Sequence, residues 1–507
     1  MQNHELIPQR PPAAQGFGSF KIFSSPAARW ILFAGLALLA LAVRLPKLGE
    51  RPMHTDEAVN GYITGELLAG ESYHYDPQDR HGPVLYLFAE PISRLCGAKS
   101  FAQLTETELR LTPVIAGSVT VLLFGAAVDI FGFTACFVAA LLFAMAPLPV
   151  YYSRYFIHET IFVAVTLGLA ICGWRALTKS SIWAAAGAGL LAAFLVACKE
   201  TFIIHFFALG LAVVIGGWFI RPRGKWPSFK IAAVALAVFL VTAILLFTWF
   251  GRNWRGLADL FRAAPHLAAR AYGEGHQKSF GYYFGLVDPT FIFFLLAAVG
   301  IFAGIRDAVT GLGKIGVLLT VYAVTVFLIY SGIPYKTPWL ALNLWLPLAL
   351  LCGFGVERVW MLVRRTPIRW IAVIAGGVFR AIVGRETVAL AFQNPADQKN
   401  PLAYAHTVDD VLRLAPRLER VASERGVTQP TVAVVAADPW PLPWYLRKFQ
   451  RVGFWQPGQD PGRADFYITS ADSAGLLGDK LNDCRPEFFG VRPEVIVILW
   501  VPEKSTP

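Results

Sequence analysis

The chain has 507 residues, 55% of them hydrophobic and only 16% charged, and its mean hydropathy of +0.51 excludes an ordinary soluble domain. It reads as an integral membrane protein. A formal net charge of +11 does not indicate a nucleic-acid partner, because the basic residues sit in short loops between apolar runs and not along one face.

A polar N-terminal segment, 1–29, precedes the first apolar run. It is long for the charged region of a signal peptide, so Trp30 to Val43 reads as a retained anchor, with cleavage after Ala40-Leu41-Ala42 as the alternative. Further apolar runs fall near 111–130, 133–150, 157–176, 182–198, 202–220, 230–250, 282–304, 315–331, 338–356 and 370–391, which predicts about eleven transmembrane helices at ~20 residues per crossing. Arg380, Arg385 and Glu386 interrupt the last one, and such charges are expensive in lipid.

Alternating the loops collects Arg10, Lys21 and Arg29, then Arg175 and Lys179, then Arg221, Arg223, Lys225 and Lys230, then Arg306 and Lys314, then Arg358, Arg364, Arg365 and Arg369 on one side. The positive-inside rule makes that side cytoplasmic. The other side receives loop 46–109, turns near 151–156, 199–201 and 332–337, loop 251–281 and everything beyond 394. Loop 251–281 carries Arg252, Arg255, Arg262, Arg270 and Lys278 against Asp259 and Glu274. That basic excess fits either an anionic headgroup or phosphate or an amphipathic interfacial helix. Within 46–109, residues 58–69 and 84–97 are too short to span and read as interfacial helices. The six cysteines show no paired spacing, which argues against a disulfide framework or a zinc knuckle. Beyond 394, Leu402 to Arg425 has helical periodicity, and Thr431 to Ala437, Asp465 to Thr469 and Val495 to Val501 read as strands. The expected division is a membrane domain over 30–393 and a soluble α/β domain over 394–507.

Chemistry-bearing residues gather in the loops of the second side. His54-Thr55-Asp56-Glu57 places two carboxylates beside the membrane, where one can take a proton from an acceptor hydroxyl and the other can orient the acceptor or hold a divalent cation; the bland alternative is a solvated acidic turn. In Tyr75-Asp76-Pro77-Gln78-Asp79-Arg80-His81-Gly82-Pro83, Arg80 and His81 can reach a phosphate, and Asp76 or Asp79 can join a metal site. Arg154, His158 and Glu159 lie at an apolar boundary within an aromatic stretch, Tyr151 to Tyr155, that also fits an interfacial aromatic belt. Lys199 and Glu200 occupy the next turn, as a site or simply as a neutralised ion pair, and Lys336 opens a Pro-containing late run.

Taken together, the acidic pair after the first span, the charged turn ending in Pro83, the Ser153-Arg154-Tyr155…Glu159 segment and Lys336 before Pro338 resemble the membrane-embedded GT-C glycosyltransferases. The resemblance is to the protein O-mannosyltransferase and aminoarabinose-transferase branch, with its prokaryotic flippase-associated subgroup, and covers about 30–390. Asp438-Pro-Trp-Pro-Leu-Pro-Trp-Tyr-Leu-Arg447 is similar to that subgroup's exterior C-terminal domain. It implies inverting transfer of a sugar from a polyprenyl-phosphate donor to an acceptor glycan, lipid or protein. Asp56 stands at the catalytic acidic position, Arg80 or His81 at the phosphate position and Lys336 at the late basic position. Where aminoarabinose transferases carry Lys-Pro-Pro, this chain has His81-Gly82-Pro83.

The expected donor-phosphate contacts are therefore Arg80, His81, Arg154, Lys199 and Lys336, with His54, Asp76, Asp79, His158, Glu159 and Glu200 around them. Asp56, Glu57 and Glu159 are the candidates for a divalent metal ion, the one cofactor expected. The rival readings are a flippase or transporter component without chemistry and an inactive scaffold. Transporters place polar groups near the bilayer midplane, whereas here they gather at one interface.

Overall fold

The computed structural model describes residues 25–503 apart from 79, 220–227, 272, 274, 288–289 and 312. The expectations for Arg10, Lys21, Asp79, Arg221, Arg223, Lys225 and Glu274 lie outside the described residues. The protein is a polytopic helical membrane protein carrying a small C-terminal sheet domain. Seven helices are long and apolar enough to cross a membrane: α1 (Pro26–Arg44), α4 (Glu106–Ala126), α6 (Glu159–Lys179), α9 (Phe229–Phe247), α11 (Ile292–Val309), α12 (Ile315–Gly332) and α13 (Ala341–Val363). Shorter apolar helices are α5 (Phe133–Met145), α7 (Ile182–Val196) and α8 (Phe202–Phe219). The interfacial pair is α2 (Thr55–Leu68) and α3 (Val84–Leu95).

The expected span at 282–304 is broken. A short helix, Tyr282–Val287, precedes α11, whose N-cap Phe291 takes a left-handed φ of 59°. Within 251–281 lies an amphipathic helix, α10 (Arg255–Ala271). Leu257 and Leu260 pack inward while Trp254 and Phe261 stay exposed, the arrangement of a helix lying in the interface. The last expected span is α14 (Ile368–Val388), which ends in a π-turn over Ala389–Gln393.

Of the seven, α13 is the most deeply buried, so this is the central helix. It crosses α11 at Gly300 and Gly355, where an added Cβ would come within 1.9 Å of a backbone carbonyl on the facing helix. Such small-residue contacts let membrane helices approach where hydrophobicity supplies no drive. Arg44, at the end of α1, donates to the carbonyls of Phe143 and Ala144 at 2.7 and 3.0 Å, and so satisfies the orphan acceptors at the end of α5.

The C-terminal sheet has the order β2-β1-β3-β5-β4, with β1 (Thr431–Val435), β2 (Arg451–Trp455), β3 (Phe466–Ser470), β4 (Cys484–Arg492) and β5 (Val495–Pro502). The β2-β1-β3 part is parallel and the rest antiparallel. Strand β1 reads as a continuous apolar run because both faces are covered. Leu414, Leu418 and Val421 of α15 (Leu414–Glu424) lie in one cluster with Val432 and Val434, while Leu477 and Leu481 join Ala433 and Val435 on the other face. The expected helix 402–425 is shorter, since residues 402–408 leave regular structure to contact the membrane domain. Strands β2 and β4, with the exposed Arg451 and Arg485 and the half-buried Glu487, lacked the apolar pattern that marks a buried strand.

Candidate active site

Asp56 and Glu57 begin α2, and helical geometry turns adjacent residues to different faces. His54 is the N-cap: its Nδ1 accepts from the Asp56 N–H at 3.0 Å, and Glu57 Oε2 accepts from the His54 N–H at 3.1 Å. This capping box fixes both acids. The Asp56 side chain is 46% exposed and that of Glu57 is 0%.

Glu57 is fully engaged. Its Oε1 accepts from Arg110 Nε at 2.8 Å, Phe156 N at 2.9 Å and Arg51 Nη2 at 3.2 Å, and its Oε2 from Arg110 Nη2 at 2.8 Å. Burial alone would raise its pKa, but the Arg110 and Arg51 charges override this and hold it far below the usual carboxylate range. Arg110 also donates to the carbonyls of Leu48, Arg51 and Pro52. This knot shapes the loop that presents Asp56, and it leaves Glu57 unsuited to act as a second proton acceptor.

Around Asp56 the chain collects residues from distant loops. With Nδ1 accepting, His54 Nε2 is the donor to the Tyr404 carbonyl at 3.1 Å. The Tyr404 hydroxyl lies 2.8 Å from His276 Nδ1, and Lys278 Nζ stands 5.6 Å from the Tyr404 ring centroid. Burial lowers the His276 pKa, with the Asp56 charge acting against it. Gln277 bridges to Tyr335, the Lys336 N–H donates to the His276 carbonyl at 2.9 Å, and the buried Lys336 Nζ donates to the carbonyls of Lys278, at 3.1 Å, and Ile333. Burial lowers the Lys336 pKa. Asp56, His54, Tyr404, His276, Lys278 and Lys336 thus form one group.

A second group lies past Tyr335, whose ring is 4.7 Å from His276. Lys199 pairs with Glu159 in a buried ion pair. Burial would lower its pKa and Glu159 raises it on balance. His81 Nδ1 lies 2.7 Å from Glu200 Oε2, and the Tyr75 hydroxyl donates to Glu200 Oε1 at 3.0 Å. Burial opposes ionisation of Glu200, yet His81 takes its pKa down to about 2. His158 Nε2 donates to the Gly82 carbonyl at 3.2 Å, and burial pushes its pKa well down, so it is neutral. A Cβ at Gly82 would sit 2.2 Å from the Ala197 carbonyl oxygen, so the His81-Gly82-Pro83 turn needs its glycine to seat against 197–200. Arg80 pairs with Glu66 at 3.5 Å, and the exposed Asp76 accepts from Gln78 N at 2.9 Å to close its own turn.

Arg154 departs from expectation. Its guanidinium stacks on Phe392, 4.1 Å from the ring centroid, and donates to the Lys47 carbonyl at 3.1 Å, while its own carbonyl accepts from Arg51 Nη2 at 2.8 Å. The tyrosines near it are buried and form no belt facing lipid. Tyr151 and Tyr152 donate to the carbonyls of Pro395 and Leu402 at 2.6 and 2.9 Å. The three acids expected to hold a metal are also apart in their bonding: Glu57 is bound by arginines, Glu159 by Lys199, and only Asp56 is half exposed. Among the described residues no three His, Cys, Asp or Glu side chains gather as a metal-binding group. All six cysteines are free.

Sequence reading missed Arg51, Arg110, His276 and Tyr404, and had Lys278 only as one of the basic residues of loop 251–281. Arg110 carried a usable signal, a charge at the start of an apolar run. Tyr404 carried none, because its role depends on tertiary contact alone. The Pro-rich segment after β1 docks on the membrane domain. Trp444 is fully buried and its Nε1 donates to Glu106 at 2.7 Å, the Tyr445 hydroxyl accepts from Met53 N at 2.9 Å, and Arg447 donates to the Leu104 carbonyl.

Residues 80–245 match the family model described as dolichyl-phosphate-mannose-protein mannosyltransferase. Among solved structures, ArnT from Cupriavidus metallidurans bound to undecaprenyl phosphate is similar over 92% of this chain and 97% of its own, at 17% identity and TM-score 0.63. The oligosaccharyltransferase AglB from Archaeoglobus fulgidus, in complex with an inhibitory peptide and a dolichol-phosphate, is similar over 94% of this chain and 76% of its own, at 13% identity and TM-score 0.53. The mycobacterial arabinofuranosyltransferase AftD is similar over 94% of this chain but only 40% of its own, at 14% identity and TM-score 0.52. No curated protein matches the chain in sequence. The chain has the GT-C fold, in an ArnT-like form.

Proposed function

We propose that this protein is an inverting glycosyltransferase that moves a sugar from a polyprenyl-phosphate donor to an acceptor hydroxyl on the exocytoplasmic face of the cell membrane. The observation that carries the proposal is the separation of the two adjacent acids. Glu57 is locked with Arg110, while Asp56 is half exposed and shares its loop cluster with Lys336, Lys278 and His276.

In this reading the acceptor oxygen attacks the anomeric carbon from the face opposite the lipid phosphate. The bond from that carbon to the phosphate oxygen breaks, its electron pair stays on the phosphate, and the hydroxyl proton passes to Asp56. The sugar passes through an oxocarbenium-like state, as in inverting glycosidases. A lipid phosphate is a stable anion on leaving, so no general acid is needed. What the step needs is fixed positive charge, worth roughly 3–4 kcal/mol of barrier per preorganised donor. Lys336, held by the Ile333 and Lys278 carbonyls, fits that role, with Lys278 and His276 beside it.

The Glu57–Arg110–Arg51 knot and the His81–Glu200 and Lys199–Glu159 pairs position the loops around the site. ArnT's complex with undecaprenyl phosphate and AglB's with a dolichol-phosphate support a polyprenyl-phosphate carrier. The basic loops around Arg364 and Arg365, set against the Asp56 end, support the exocytoplasmic placement. Incubating the purified protein with polyprenyl-phosphate sugars and membrane extract, and measuring the free lipid phosphate released, tests the proposal. A protein that only moves the lipid across the bilayer releases none.

A further inference from the structure

We propose that the cavity beside Arg51 and Arg154 is a second anion site, taking a phosphate-class group distinct from the donor phosphate at Asp56. The cavity holds about 640 Å³ and is lined by Arg51, Arg154, Lys47 and Tyr151 on the membrane side and by the chain from Ala391 to Lys399, with Val408 and Asp409, on the other. Neither Asp56 nor any of its neighbours His276, Lys278 and Lys336 lines it.

The charge balance at this cavity calls for an anion. Arg51, Arg110 and Arg154 are each at least 94% buried, at 6%, 0% and 6% exposed, and among the described residues Glu57 is the one carboxylate bonded to this group. Arg154 Nη1 and Arg51 Nε are buried with no hydrogen-bond partner among the described residues, whereas buried guanidinium N–H groups are normally satisfied. Burial, and then the like charges of Arg51 and Arg110, press the Arg154 pKa down to about 9. Glu50 at the rim offsets part of this charge at Arg154 but does not reverse it. Glu50 pairs with Lys47 at 3.1 Å, and Asp397 accepts from Lys399 N at 2.7 Å; Asp409 lies on the C-terminal wall. Planar guanidinium groups suit phosphate oxygens in particular. An occupant would touch both the α1–α2 loop and the segment that leads from α14 to the sheet domain, and so tie the two together.

The proposal stands independently of the transfer reading, because its test reads binding. Full-length protein is placed in phosphatidylcholine nanodiscs, and its thermal unfolding is followed with added inorganic phosphate in one arm and with phosphatidylglycerol included in the discs in the other. The wild type is expected to be stabilised in at least one arm. Arg154→Gln and Lys399→Glu should each weaken the response on the order of tenfold in concentration, as expected for losing a charge-assisted contact, while Lys336→Gln should leave it in place. A response to phosphate itself identifies a phosphate of a soluble ligand or acceptor; a response confined to phosphatidylglycerol identifies a lipid headgroup. Lys399→Glu alters an exposed side chain, so it decides the matter if Arg154→Gln fails to fold. No stabilisation of wild type in either arm, a response unchanged by the cavity substitutions, or a response lost in Lys336→Gln overturns the proposal.

Discussion

Arg110 Nε and Nη2 each lie 2.8 Å from a different oxygen of Glu57, so one guanidinium grips the whole carboxylate. Both residues are fully buried. Removing one partner from such a pair strands a buried charge, at a cost of roughly 3–5 kcal/mol. Glu57→Ala and Arg110→Ala should each lower the unfolding temperature in detergent markedly, while Asp56→Asn should leave it unchanged. Equal unfolding temperatures for all three would remove the distinction between the two acids.

The Glu200–His81 contact predicts a pH dependence. The Glu200 pKa falls from 4.5 in the unfolded chain to about 2 in the folded one, so its stabilising effect is fully present above 4.5 and declines as pH falls from 4.5 towards 2. Thermal stability should therefore drop over that window, and Glu200→Gln should flatten the drop. An identical acid profile for the variant would show that the contact does not carry it.

Lys336 should govern donor handling. Lys336→Gln is expected to lower kcat/KM for the lipid donor about 10- to 100-fold, the effect of losing a charge-assisted contact of roughly 1.5–3 kcal/mol. Unaltered kinetics would reduce Lys336 to a structural cap on residues 276–278.

Helices α2 and α3 and the apolar runs that became α1, α4 to α9 and α11 to α14 were legible from hydropathy, because the bilayer imposes length and apolarity on each segment independently of its neighbours. The break before α11 was passed over because the flanking residues are strongly apolar, although Asp288-Pro289 stands in the sequence of that run. At the site, His54 and Asp56 were visible as local polarity against a membrane. The different environments of Asp56 and Glu57 were not, because the difference comes from Arg110 and Phe156, remote in sequence. Arg154 was placed with the donor phosphate on loop position alone, whereas its guanidinium lies on Phe392 beside a cavity that Asp56 does not line. Tyr404 reaches His54 through an irregular segment that helical periodicity had absorbed into a longer helix.

Docking of the sheet domain is anchored by Trp444 against α2 and Glu106. Trp444→Ala should cost roughly 3–5 kcal/mol and impair transfer by loosening the segment that carries Tyr404 to the site. Removing residues 394–507 should abolish transfer while the membrane portion still inserts. Full transfer by the truncated chain would show that Tyr404 and its neighbours do not help to form the site.

Orientation can be checked with single cysteines in a background lacking the native ones. Arg365→Cys should resist an impermeant thiol reagent in intact cells and Gln459→Cys should react. Reaction at residue 365 would place the Asp56 face on the cytoplasmic side.

The central claim is that Asp56 accepts the acceptor's proton. Asp56→Asn keeps the size and position of the side chain at the start of α2 and removes its basicity, so the purified variant should bind lipid donor and unfold at the wild-type temperature. Sugar transfer should fall at least about 100-fold, the usual loss with a general base. The direct measurement is transfer from a polyprenyl-phosphate sugar by wild type and Asp56→Asn side by side in one reconstituted assay. A large loss in the folded, donor-binding variant is the predicted result; full transfer by Asp56→Asn would contradict the assignment.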